Sequence, residues 1–315
     1  MNILVTGGAG FIASNIVDAY ISLGHKVTII DNLATGDVRN INPNAHFIEM
    51  DITSDKVLDL FMSERFDVLN HHAAQMDVRF SVSDPLFDAN TNIMGGLNLY
   101  QAAQKSGVRK IIFASSGGAI YGDNVDIPTP ENSLLEPCSP YGIAKLTNEK
   151  YLSFYKDTYN IDVVCLRYAN IYGPRQSFKG EAGVIAIFIH KLLNNEQPTI
   201  NGDGKNIRDY VFVNDVVNAN VIALNKDVNG IYNIGTGTGT DVNQIFQHLK
   251  ELTNSDCKEF HGEAKKGEQR ISCISYQKFY NEHNWKPKTK LLDGLKETVR
   301  YFKHIIHFIL LFCIF

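Results

Sequence analysis

Hydrophobic and polar positions along this chain switch repeatedly between two periods. Asn2-Ile3-Leu4-Val5-Thr6 is a short apolar, β-rich run. It breaks into Gly7-Gly8-Ala9-Gly10 and gives way to helical spacing over 11–23. Apolar runs of strand length recur at 25–30, 47–50, 66–70, 108–115 and 161–167. Helical spacing separates them at 56–63, at 90–106 and from Ser139 to about Asn160. Runs that are apolar throughout predict strands covered on both faces. Their alternation with helices predicts an α/β fold built on a doubly wound parallel sheet.

Beyond Tyr168 the rhythm becomes irregular. Gly173-Pro174-Arg175 reads as a turn, 184–193 as a helix, and Asn201-Gly202-Asp203-Gly204 as a turn leading into a strand over 208–213. Helical spacing returns at 241–253 and 291–302. The expected organisation is a Rossmann-type domain over 1–167 and a smaller C-terminal substrate-binding lobe over 168–304. Some segments of that lobe return to the sheet. Residues 305–315 form an apolar tail, too short for the about 20 residues that span a bilayer. It reads as an element docked on the body, a read-through artefact or a peripheral membrane contact.

Composition narrows the function classes. The chain has 315 residues, 44% of them hydrophobic and 20% charged, enough to build a large core. A net charge of -4 and a pI near 6.2 give no reason to expect nucleic acid or an anionic membrane as partner. Five cysteines are scattered without a C-x-x-C pair, and the N-terminus has no signal-peptide pattern. Together these point to the cytoplasm, with neither a disulfide framework nor a metal site.

Candidate chemistry lies at the strand ends. Glycines between a first strand and a helix let backbone N–H groups approach a pyrophosphate at the helix N-terminus. Asp31, at the tip of the second strand, can accept from both ribose hydroxyls and repels a 2′-phosphate, which selects NAD over NADP. Asp51-Ile52 ends the third strand near the adenine edge. The small residues of His71-His72-Ala73-Ala74-Gln75 let backbone lie against a cofactor, and the two histidines read as core residues. Ser115-Ser116 carries hydroxyls to a strand's carboxyl tip, where open α/β sheets bind ligands. Ser139 caps a helix whose Tyr141 and Lys145 share one face. An ammonium beside a phenol favours the phenolate, so Tyr141 is expected to act as a base below its usual pKa of about 10.

With these motifs in place, the chain resembles the extended short-chain dehydrogenase/reductases. Within them it is most similar to the nucleotide-sugar epimerases of the UDP-glucose 4-epimerase type. The resemblance runs from Met1 to about Lys303. Further motifs carry it: Tyr121-Gly122, Leu166-Arg167-Tyr168-Ala169-Asn170 with Tyr172-Gly173-Pro174, and Gly202-Asp203-Gly204 before Arg208-Asp209. It implies Tyr141 as catalytic base, Lys145 as holder of the nicotinamide ribose, and Ser116 as partner of the sugar C4 hydroxyl. The NAD-binding set it implies is Gly7, Gly10, Phe11, Ile12, Asp31, Asn32, Asp51, Ile52, Ala73, Ala74, Asn92, Ser115, Tyr141, Lys145 and Tyr168. Ser116, Tyr141, Asn170, Arg208 and Ser272 would face a UDP-sugar substrate, with Asn170 and Arg208 on its diphosphate. A homodimer through the helices at 90–106 and 139–160 is implied as well.

The same residues separate neighbouring activities. Dehydratases of this scaffold carry an Asp-Glu pair just after the strand-tip hydroxyl, where this chain has Gly117-Gly118-Ala119. Epimerisation at C4 through a 4-keto intermediate needs no such pair. A sugar 4-ketoreductase and a non-catalytic NAD-binding sensor are the alternatives. Three positions depart from the family pattern. Ala13 replaces the third glycine of the fingerprint. Either Lys265 or Arg270 stands for the usual diphosphate-binding arginine. Ser272 replaces a bulky tyrosine, which leaves room for an N-acetyl group on the sugar.

Overall fold

The computed structural model describes residues 1–123, 126–178, 183–264 and 269–312, with side chains as far as residue 305. Strand β1 (Asn2–Thr6) enters helix α1 (Phe11–Ser22) through the glycine turn, and β2 (Lys26–Asp31) and β3 (His46–Glu49) follow. After α2 (Val57–Glu64) and β4 (Val68–His71) come two short helices, α3 (Val78–Ser83) and α4 (Pro85–Ala89). Each is opened by an aspartate, Asp77 accepting from Phe80 N at 2.8 Å and Asp84 from Phe87 N at 3.0 Å. The helix expected over 90–106 is not uniform. It begins with a π-helical turn, Asn90–Met94, and becomes α5 only at Gly95–Ser106.

β5 (Lys110–Ser116), α6 (Pro140–Tyr159) and β6 (Asp162–Tyr168) complete the first six strands within a residue or two of expectation. The second half holds β7 (Asn170–Tyr172), α7 (Val184–Leu193), β8 (Ile200–Asn201), β9 (Ile207–Phe212) and α8 (Val213–Ala223). Next come β10 (Gly230–Ile234), β11 (Gly239–Asp241), α9 (Val242–Thr253), β12 (His261–Gly262), β13 (Ile271–Ser272), α10 (Gln277–His283) and α11 (Leu291–Phe312). Seven strands form the parallel sheet in the order β10-β6-β5-β4-β1-β2-β3. The order reverses between β1 and β4, which opens a crevice at their carboxyl ends.

Continuous apolar strands are explained by cover on both faces. Ile3 and Val5 of β1 join Ile112, Val164 and Leu166 in a layer with α1 and α8, whereas Leu4 joins Ile111, Phe113 and Cys165 against α2, α5 and α6. Adjacent residues of one strand thus feed opposite layers. A third cluster, with Phe188, Phe246 and Phe302 among its members, forms the core of the C-terminal lobe. α8 and β10 had no clear sequence signature. The inward stripe of α8 includes Asp215 and Asn220, and β10 is only five residues long. Helix α11 continues to Phe312, and no helix among the described residues is long and apolar enough to cross a membrane.

Among the buried polar residues of the sheet is Arg167, which shares the α6-facing side of β6 with Val163 and Cys165. It donates to Glu149 of α6 from Nε at 2.9 Å and Nη2 at 2.6 Å, both side chains being 2% exposed. The Ser115 hydroxyl adds a third contact to the carboxylate, at 2.6 Å. Removing one partner of such a pair leaves an uncompensated buried charge. Glu149→Ala is therefore expected to lower the unfolding free energy by about 3–5 kcal/mol in urea titrations. A loss below about 1 kcal/mol would contradict this account.

Candidate active site

Helix α6 presents its functional face through its own sequence. Ser139 Oγ accepts from Gly142 N at 3.1 Å, and Pro140 occupies the first turn, where its missing N–H costs nothing. Tyr141, Lys145 and Glu149 follow at intervals of four residues and so share a face towards β5 and β6. Glu149 is anchored by Arg167. One turn earlier, Lys145 Nζ donates to the Ala114 carbonyl at 2.8 Å and lies 5.6 Å from the centroid of the Tyr141 ring. Two turns earlier, the Tyr141 phenol comes within reach of the Ser116 side chain at the carboxyl tip of β5. The three residues expected to share a site therefore do so.

Electrostatics differ from the expectation for this pair. Burial pushes the Tyr141 phenol up to about 12, with the Ser116 hydrogen bond opposing the rise and Asp88 adding to it. Burial also pulls the Lys145 ammonium down to about 8, against the attraction of Asp88 and Glu149. Desolvation penalises phenolate and ammonium alike, so Lys145 by itself does not hold Tyr141 below its usual pKa.

The opposite side of the crevice is a dinucleotide cradle. Gly7 has φ +70°, and a Cβ there would stand 2.8 Å from Ala73 N, so backbone from β1 and from the end of β4 meet with no room for a side chain. Gly10 caps α1 without a side-chain acceptor, which leaves the first-turn N–H groups of Phe11 and Ile12 facing the turn. The buried Asp31 accepts from Ala9 N at 3.0 Å and Leu33 N at 2.8 Å. Asn32 donates to Asp51 at 2.7 Å, while the adjoining Ile52 is buried in the core. Ala73 N is held by Thr6 Oγ1 at 3.0 Å, with Ala74 next along the same segment. These groups fit a nicotinamide dinucleotide: a helix N-terminus for its pyrophosphate and a carboxylate at the second strand tip.

Other expected residues are engaged within the protein. The Ser115 hydroxyl is turned to Glu149, so its side chain serves α6 rather than the crevice. The Asn92 amide brackets Gln75, accepting from its N and donating to its O, both at 2.9 Å. The Tyr168 hydroxyl meets His72 Nε2 at 3.0 Å and Asn220 Nδ2 at 2.9 Å. Burial drops His72 to about 3, so its imidazole is neutral, and His71 Nδ1 is 2.8 Å from Thr6 Oγ1.

Beyond the tip of β5, a Cβ on Gly118 would lie 3.6 Å from Asn170 Oδ1 and 3.8 Å from Ser272 Oγ. Gly118, Asn170 and Ser272 therefore converge two residues past Ser116. Arg208 faces Ser272 in the β9–β13 register and donates to the Ile207 carbonyl at 2.9 Å and the Gln269 carbonyl at 2.7 Å. Arg270 is committed to Asp203, at 2.8 and 2.7 Å, on an exposed surface. Lys265 lies outside the described residues.

The model of the NAD dependent epimerase/dehydratase family matches residues 3–235. The chain belongs to that family. A UDP-glucose 4-epimerase of Mycolicibacterium smegmatis is 38% identical over 311 residues, covering 96% of this chain and 99% of the relative. The structure of UDP-glucose 4-epimerase with UDP-glucose from Thermotoga maritima superposes with a TM-score of 0.96 at 49% identity, over 97% of this chain and 100% of that one. The Thermus thermophilus UDP-glucose 4-epimerase complex with NAD gives 0.91 at 39%, over 96% and 99%.

For this member of the epimerase/dehydratase family, several supports of the site went unread in the sequence. Ser81 Oγ accepts from Tyr141 N at 3.2 Å, and Asn148 Nδ2 donates to the Asn92 carbonyl at 3.0 Å. Asp88 stands four residues before Asn92, a helical spacing that could have flagged it.

Lys145 also carries a stability cost with a defined sign. Its folded pKa lies below its unfolded value, so the cost is fully present below pH 8 and fades as pH rises towards about 10.5. Lys145→Met, which also gives up the Ala114 hydrogen bond, is expected to stabilise the apoprotein by about 2 kcal/mol at pH 7. Urea unfolding at pH 7 and 9.5 checks this, with the gain shrinking at the higher pH.

Proposed function

We infer that this protein is an NAD-dependent 4-epimerase of UDP-hexoses acting through a 4-keto intermediate. The observation that carries the reading is Tyr141 within reach of Ser116 and beside Lys145, with glycines at 117 and 118 where elimination chemistry would need acids. Bound NAD supplies the hydride acceptor, and its reduced form the donor, so the couple is regenerated within each turnover. Tyr141 as phenolate takes the proton of the C4 hydroxyl as that carbon loses hydride. Ser116 orients the hydroxyl. In the return step the Tyr141 phenol gives the proton back to the sugar oxygen, with hydride added to the opposite face of C4.

Bringing Tyr141 from about 12 to near neutrality takes roughly five units, or about 7 kcal/mol. Lys145 and the positive charge of the oxidised nicotinamide share that task. Asn170 and Arg208 hold the diphosphate, the guanidinium fork matching its oxygens. Ser272 is small, so the sugar's C2 substituent has room, and the N-acetylhexosamine forms are accepted as well.

The protein acts in the cytoplasm as a homodimer. Ile143, Tyr151 and Phe154 of α6 and Met94 at the end of the π-turn are exposed apolar side chains, and burying them against a second copy removes them from water.

The test is to incubate the protein, without added NAD, with UDP-glucose and UDP-GlcNAc separately and to resolve the epimers. Both pairs are expected to interconvert, and Tyr141→Phe to lower kcat about 10³-fold or more. With NAD+ added, NADH and a 4-keto sugar accumulating without epimers would mark a ketoreductase run in its oxidising direction, and NAD binding without turnover a sensor. Ser272→Tyr is expected to abolish turnover of the N-acetylated pair and spare the plain pair. Equal loss of both would refute the role given to Ser272.

A further inference from the structure

A chain of polar groups reaches the helix that carries Tyr141 and Lys145, and at its centre is one buried carboxylate. Asp88 of α4 is 1% exposed. Its Oδ1 accepts from Gln75 Nε2 at 3.0 Å and from Asn92 Nδ2 at 2.9 Å. Asn92 brackets the Gln75 backbone, and Asn148 of α6 donates to the Asn92 carbonyl. Hydrogen bonds thus run without a break from the segment after β4, through α4 and the π-turn, to the helix that carries Tyr141 and Lys145. The π-turn at Asn90–Met94 widens the helix where Asn92 leaves it, a device frequent at functional sites.

The charge of Asp88 matters as much as its hydrogen bonds. Lys145 is 4% exposed and donates to a carbonyl rather than to a carboxylate. The two acids that act on it are Asp88 and Glu149, and Glu149 is already paired with Arg167. Asp88 acts on Tyr141 as well. Around Asp88, α6 supplies Tyr141 and Lys145, and the π-turn supplies the neutral Asn92. Ser81 of α3 is neutral, while Arg79 of α3 and Asp84 before α4 stand exposed.

We propose that Asp88 is a positioning residue of the hydride-transfer site: its carboxylate fixes the Gln75–Asn92 segment beside α6 and supplies the negative charge that Lys145 and Tyr141 share. The proposal rests on the epimerase reading above. A negative charge near both groups keeps Lys145 an ammonium and opposes the Tyr141 phenolate. Removing it makes Tyr141 easier to deprotonate and Lys145 easier to neutralise. Turnover needs the first group deprotonated and the second protonated, so both limbs of the kcat–pH profile move towards lower pH.

The experiment compares kcat–pH profiles and NAD retained per chain for the wild type, Asp88→Asn, Asp88→Ser and Asn92→Ser. Both charge-free variants are expected to shift the two limbs by about half a unit or more towards acid. Asp88→Asn keeps an acceptor for Gln75 and Asn92 and retains NAD. Asp88→Ser is too short to reach them and sheds NAD. Asn92→Ser sheds NAD and leaves the limbs in place. Limbs unmoved in whichever charge-free variant folds, or moved equally by Asn92→Ser, would overturn the proposal. A wild type inactive on every UDP-hexose refutes the epimerase reading instead, so the two failures are distinguishable.

Discussion

The contact on which the rest depends is the buried pair between Glu149 and Arg167. It fixes α6 to β6 in rotation and in height, and the Ser115 hydroxyl locks the same carboxylate to β5. A helix held at one turn has its other turns placed for it. Lys145 then meets the Ala114 carbonyl, and Tyr141 meets Ser116 at the strand tip. A buried ion pair is weak evidence for stability, because desolvation offsets much of its attraction. Here it acts as a registration device: a hydrophobic replacement of equal volume would fill the space without specifying the rotation of α6.

Burial shapes the chemistry in both directions. It makes the phenolate and the ammonium costly, so the resting pair is set unfavourably for a base and its cationic helper. It also limits water at the place where the C4 hydroxyl gives up its proton and C4 its hydride. Positive charge entering such a site is felt strongly, because little water screens it. The ordinary solution behaviour of a tyrosine beside a lysine is therefore a poor guide to this pair.

The C-terminal half is tied to the sheet as well as set over it. β10 pairs with β6, and α8 packs on α1 in the same layer as Trp285. The chain builds β7 and β9 before these returning elements and β13 after them, and the three strands pair, with Arg208 beside Ser272 and Asn170 beside Tyr210. Their distance from Ser116 is set by packed structure rather than by a free linker.

Much of this was readable from the chain alone. Apolar runs and helical spacing located the first six strands and the long helices, because a strand covered on both faces has little freedom in composition. The Gly7 turn, Asp31, Ser116, Tyr141 and Lys145 were readable because each sits at a strand end or on a helix face whose geometry is local. α8 and β10 were not, since Asp215 and Asn220 occupy core positions where only partners such as Tyr168 and the backbone of Lys288 and Thr289 justify a polar side chain. Asp88, Ser81 and Asn148 look like ordinary polar residues until the fold brings α4, the π-turn and α6 together. The opening stretch of α6 thus offered a phenol and an ammonium on one face, and the glycine turn, Ser116 and the other motifs gave the pair its reading. Whether either is charged depends on how much water the surrounding layers remove and on which carboxylates they leave nearby, and those are properties of the packed structure.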